Sequence, residues 1–246
     1  MIGNYRVLIL LMFSLHTPQV FTASEWKNPD QASETAVKTQ KQNLPVKKKV
    51  KPAQQEITLK GVHGVSVARI CDYQRSYRDK GSGGKIDGTF YVPVLPPGFR
   101  WIGGYAQGNY DDPSACVTAI KVDQASANAL LRPPDDWHRL WTDKGSGARM
   151  DGSIWHPAVN DNRFTCVGSV ATEGYDKPVT TGYACLNRCL LQETPVAAPV
   201  WSTSGTGARH KIYIYSLNNS NSFYASREKL IDSEVLDLKP DPQCEF

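Results

Sequence analysis

The chain has 246 residues, is 40% hydrophobic and 21% charged, and carries 19 Gly and 16 Pro. This length allows one large domain or two small ones, and the composition excludes a wholly disordered chain. A net charge of +4 and a pI near 8.7 suggest an anionic partner at first reading.

The first segment, residues 1–24, reads as a secretory signal peptide. Arg6 precedes the apolar run Val7–Phe13, and small residues follow at Thr22-Ala23-Ser24. The run is too short to span a bilayer, and no later segment is long and apolar enough to do so. A secreted chain is therefore expected.

Residues 25–60 read as a Lys-rich disordered linker, with eight Lys against four acidic residues and the cluster Lys47-Lys48-Lys49-Val50-Lys51. Such a segment suits a solvated spacer, an attachment to anionic headgroups or acidic glycans, or a processing site. The remaining 61–246 carry 19 basic and 20 acidic residues. The basic excess thus belongs to the leader and linker, and no nucleic-acid partner is expected for the body.

The body holds an internal repeat. Tyr77-Arg78-Asp79-Lys80-Gly81-Ser82-Gly83-Gly84-Lys85-Ile86-Asp87-Gly88 recurs as Trp141-Thr142-Asp143-Lys144-Gly145-Ser146-Gly147-Ala148-Arg149-Met150-Asp151-Gly152. A degenerate third copy runs from Trp201 to Tyr215, with Thr203 for the first Asp and Lys211-Ile212 for Asp-Gly. Downstream, Phe99–Tyr105 matches Phe164–Val170, and Tyr110-Asp111-Asp112-Pro113 matches Tyr175-Asp176-Lys177-Pro178. The repeats span about 61–123, 124–192 and 193–246.

Each copy reads as β: an aromatic, a Gly-rich turn, a short strand, a Pro/Gly/Asn loop, then another strand. One short helix is expected over 226–236. Units this small cannot bury their own apolar faces, so three should pack together. The expected fold is all-β, a three-repeat β-prism-like domain with pseudo-threefold symmetry; a β-trefoil is the alternative. Cys71, Cys116, Cys166, Cys185, Cys189 and Cys244 are disulfide candidates whose pairing the spacing leaves open.

The motif Trp/Tyr-x-Asp-x-Gly-Ser-Gly-Gly/Ala-x-x-Asp-Gly-Ser/Thr-x-Trp/Tyr, in residues 77–105 and again in 141–170, resembles the Vps62-like family, a domain of unknown function. The resemblance covers about 70–240. It implies kinship with β-prism domains of membrane-associated and pore-forming proteins, a role in recognising membranes or cell surfaces, and no enzymatic activity. The third copy departs from the pattern at both Asp positions.

The candidate ligand-binding residues are Asp79, Lys80, Gly81, Ser82, Gly83 and Asp87, with Asp143, Lys144, Gly145, Ser146, Gly147 and Asp151. Two Asp eight residues apart around a flexible turn can meet a hard cation such as calcium, although calcium ordinarily takes more oxygens. Alternatively, the Gly N–H groups beside Lys80 and Lys85, or Lys144 and Arg149, form an anion nest. The plain structural reading makes each Asp the acceptor of an Asx-turn. The aromatics Tyr91, Trp101, Trp141, Trp155, Trp201 and Tyr215 either fill the core or stack on sugars. Neither an H-E-x-x-H nor a G-x-S-x-G signature occurs, so no enzyme is expected. Asn218-Asn219-Ser220 is a glycosylation acceptor. The function expected is recognition of membrane lipid headgroups or glycans, with a structural extracellular-matrix protein as alternative and an enzyme with an unrecognised site as third.

Overall fold

A computed structural model describes residues 56–58 and 62–244. The signal peptide and the Lys-rich cluster lie outside these residues. The fold is all-β, built of small antiparallel sheets.

Three of the sheets share one build. Each has three strands, and the central strand follows a Gly-rich loop. The first contains Tyr73–Arg78, Thr89–Pro93 and Tyr105–Gln107. The second contains Asp136–Thr142, Gly152–Ala158 and Val170–Glu173. The third contains Trp201–Ser202, Tyr213–Ser216 and Phe223–Ser226. In the first two, the register slips one residue before the loop aromatic, opposite Tyr91 and opposite Trp155. The same local sequence thus builds the same bulge twice.

The three sheets pack on one another through a shared cluster. Tyr77, Phe90, Trp141, Ile154, Trp201 and Ile214 are all buried in it. Tyr77 meets Trp141 edge-on with centroids 5.8 Å apart, and Trp141 meets Trp201 at 5.6 Å. Alanines at 106, 171 and 225 in the outer strands let the sheets approach. Backbone hydrogen bonds also join the sheets in a closed ring. Gly104 N–H donates to Ser169 O, Ser169 N–H to Phe223 O, and Phe223 N–H to Gly104 O, at 2.9, 2.7 and 2.8 Å.

The described residues form three further sheets. Glu56–Thr58, Val65–Ile70, Val117–Val122 and Arg100–Trp101 form one. Phe164–Thr165, Cys185–Asn187 and Leu131–Arg132 form another, and Leu191–Pro195 with Glu234–Leu238 a third. They enclose a second apolar cluster around Ile102, Ile120, Val167, Leu186 and Leu238.

Two expectations are corrected. The strand Glu56–Thr58, paired with Ser66–Ala68, brings the sheet structure into the last residues of the 25–60 segment. No helix forms over 226–236: Asp232 has φ of 48°, and Glu234–Leu238 pairs along Leu191–Pro195 instead. Val235 and Leu236 pack against the second cluster, so tertiary burial overrides a short local helical tendency. Among the described residues the α-helix that forms is the four-residue Ala127–Leu130, with one 3-10 turn at Arg188–Leu190.

All six Cys are paired, as Cys71–Cys116, Cys166–Cys185 and Cys189–Cys244. Three disulfides fit an oxidising environment. Among the described residues, no helix is long and apolar enough to cross a membrane.

Candidate functional site

The two Asp of the repeated motif face inward. Asp79 is 1% exposed. Its Oδ1 accepts from Gly88 N–H and Tyr110 O–H, each at 2.8 Å. Its Oδ2 accepts from Trp201 Nε1–H at 2.8 Å and Ser82 O–H at 3.2 Å. Both carboxylate oxygens are therefore occupied by donors that a cation would have to displace. Asp143 repeats the pattern: its Oδ1 accepts from Gly152 N–H at 3.0 Å and Tyr175 O–H at 2.9 Å. Burial and the adjacent carboxylates push the Tyr110 and Tyr175 hydroxyls above the usual phenol range, which keeps them as donors.

Local sequence explains this geometry. Gly81, Gly145 and Gly205 hold φ of 98°, 83° and 87°, a region L side chains avoid. Asp79 and Asp143 each close their loop by bonding the glycine nine residues on. Those glycines are also points of close approach. A Cβ at Gly88 would strike the Trp201 indole, and one at Gly152 the Tyr77 ring. In the third copy, Thr203 Oγ1 accepts from Ile212 N–H at 3.2 Å, and Trp141 Nε1–H goes to the His210 carbonyl at 3.1 Å.

The three loops meet. Arg149 N–H donates to Lys80 O, Arg209 N–H to Lys144 O, and Lys85 N–H to Ser204 O, at 2.9, 3.3 and 2.8 Å. This juxtaposition brings Lys80, Lys85, Lys144, Arg149, Arg209 and Lys211 together, all exposed, with His210. Asp87 and Asp151 are exposed beside them. No ion pair among the described residues joins any of these six cations to a carboxylate; Lys144 instead lies over the Tyr175 ring at 4.6 Å.

Of the expected site residues, Asp79, Ser82, Asp143 and Ser146 are thus buried parts of the loops' own scaffolding, whereas Lys80, Gly81, Gly83, Asp87, Lys144, Gly145, Gly147 and Asp151 lie at the surface. Sequence reasoning missed the cations of the third loop. Their signal was present: Arg209 stands where Lys85 and Arg149 stand in the other copies. The aromatics offered for sugar stacking, Tyr91, Trp101, Trp141, Trp155, Trp201 and Tyr215, are all buried. His156 bonds Ser169 Oγ at 3.1 Å, and burial, then the charge of His138 across the strand pair, lowers its pKa to about 4. Among the described residues, no cluster of three or more His, Cys, Asp or Glu side chains is suited to a metal. Asn218 is exposed, and its side-chain N–H donates to Pro195 O at 2.8 Å.

Short antiparallel sheets joined through Gly-rich loops, with a stapled outer layer, define a class of disulfide-bonded all-β domain. The chain belongs to the family described as vacuolar protein sorting-associated protein 62, whose model matches residues 39–227. Among solved structures it is similar to GNIP1Aa from Chromobacterium piscinae, at 22% identity and a TM-score of 0.59 over 68% of this chain. The chain spans only 33% of the length of GNIP1Aa, and the likeness is one of fold. No curated protein matches the chain.

Proposed function

We propose that the protein is a secreted, non-enzymatic recognition module, a three-repeat β-prism that seats its three Gly-rich loops on anionic membrane surfaces. The observation that carries this reading is the group of six exposed, unpaired Lys and Arg on loops hydrogen-bonded to one another. Two exposed Asp offset them only in part. Cations spread over adjoining loops suit a surface of many anions, and each contributes about 1 kcal/mol near an anionic bilayer. The body as a whole is near neutral, so the cationic face is a local concentration. The buried Asp79 and Asp143 support the face from beneath by fixing loop shape.

Co-sedimentation with vesicles tests the reading. The chain should pellet with phosphatidylcholine vesicles containing phosphatidylserine, and should stay in solution with phosphatidylcholine alone. Added salt should release it. Reversing Lys80, Arg149 and Arg209 to Glu should abolish binding, while deleting residues 25–55 should leave a measurable part. Binding indifferent to the charge reversal would sink the loop assignment. Capture on a glycan array that the charge reversal abolishes, without vesicle binding, would replace the membrane by a glycan on the loops.

A further inference from the structure

A cleft elsewhere on the molecule shares no residue with the three loops. It is a cleft of about 440 Å³ between the Arg100–Trp101 strand, the Ala127–Leu130 helix with the strand after it, and the segment 180–184. This lies within the usual range for small-molecule sites. Its polar lining comes from Arg100, Gln124, Asn128, Arg132, Thr180 and Thr181, and no carboxylate lines it.

The walls are fixed by the backbone. Trp101 N–H donates to Gly182 O and Ala184 N–H to Trp101 O, both at 2.9 Å, so the 180–184 segment is laid along the strand edge. Asn187 Nδ2–H donates to Ala129 O at 2.9 Å and pins the short helix from behind. The Tyr183 hydroxyl is held inside by Ile102 O and Gly168 O. The Cys166–Cys185 disulfide closes the base of the same segment. A pre-formed site avoids the cost of ordering its walls on binding.

The functional side chains of Arg100, Gln124, Asn128, Thr180 and Thr181 make no ion pair or hydrogen bond among the described residues. This is the reverse of the buried loop carboxylates, whose capacity is spent internally. Arg132 differs: it pairs with Asp135 at 3.2 Å and Asp161 at 3.7 Å, which neutralise and aim it. The cleft therefore offers one uncompensated guanidinium, two amides and two hydroxyls. We propose that it binds a saccharide carrying a single negative group, with Arg100 on the carboxylate or sulfate and the amides and hydroxyls on the sugar hydroxyls. A polyphosphate would need more unpaired charge than Arg100 supplies.

The experiment titrates the disulfide-intact chain with glucuronic acid, N-acetylneuraminic acid, glucose 6-sulfate and uncharged glucose, followed by backbone amide NMR. At least one charged sugar should give saturable shifts confined to residues 98–100, 124–132 and 180–184, with glucose about tenfold weaker or more. A tenfold change is about 1.4 kcal/mol, close to the lower end for one charge-assisted hydrogen bond. Arg100→Ala should weaken binding about tenfold, Arg100→Lys should recover part of it, and Thr181→Trp should block the cleft. The charge-reversed loop variant should bind as the parent does. Absence of saturable shifts with all three charged sugars, shifts on the three loops instead, equal binding of glucose, or indifference to Arg100→Ala would each overturn the site. Carboxylate and sulfate sources are separated by which charged sugar saturates.

Discussion

In the loop from Asp79 to Gly88, one buried carboxylate receives four donors, including an indole from the third sheet. In the loop from Thr203 to Ile212, a hydroxyl receives one, and the indole that reaches it is satisfied by a backbone carbonyl. The glycine that makes room for an aromatic at 88 and 152 becomes Ile212, which is itself fully buried in the same cluster. The degenerate copy is therefore differently built rather than damaged. Polar anchoring in two copies is replaced by apolar filling in the third.

This contrast is open to direct test by urea unfolding with the disulfides intact. Asp79→Ala strands the Trp201 indole, the Tyr110 hydroxyl and the Gly88 amide, and should cost about 3–5 kcal/mol. Equal losses from Asp79→Ala and Thr203→Ala would break the comparison. Gly152→Ala drives a methyl into the Tyr77 ring and should cost about 2–3 kcal/mol. A neutral result would mean that the sheets slide apart easily. Tyr110→Phe removes one bond to a carboxylate and should cost about 1.5–2 kcal/mol, with Tyr175→Phe matching it. Thr203→Ala should cost about 1 kcal/mol or less.

The finest distinction is pH-dependent. His156 occupies the place that Val92 holds in the first copy. Its folded pKa near 4 lies below the ordinary value of 6.5, so between these the unfolded chain takes up a proton that the native chain refuses. Stability should be full above about pH 6.5 and fall as pH drops toward 4. His156→Val should flatten that slope; an unchanged slope would place its origin elsewhere.

Much of the fold was legible because the loops carry dense local signals. Gly-Ser-Gly, the flanking aromatics and the following short strands announce turn and strand within fifteen residues, whereas the bulge before each aromatic had no reading in the sequence. The Tyr-Asp pattern at 110 and 175 was visible as a repeat, but its purpose was not. Its hydroxyl crosses 31 and 32 residues of sequence to reach Asp79 and Asp143. The inward turn of Asp79 depends likewise on Trp201, more than a hundred residues away. The pairing of Glu234–Leu238 with Leu191–Pro195 had no local cue, because its strand character comes from burial against a partner. The cleft around Arg100 had none either, since it gathers residues from three separate stretches.

The ring of backbone bonds through Gly104, Ser169 and Phe223 bears on how the sheets end at the centre of the domain. A linear stack of repeats ends in exposed faces and needs caps. Here each of the three segments gives one bond and takes one, so its donor and its acceptor are both used within the circle. An insertion or deletion by recombination between these segments would have to break that circuit before it could build another.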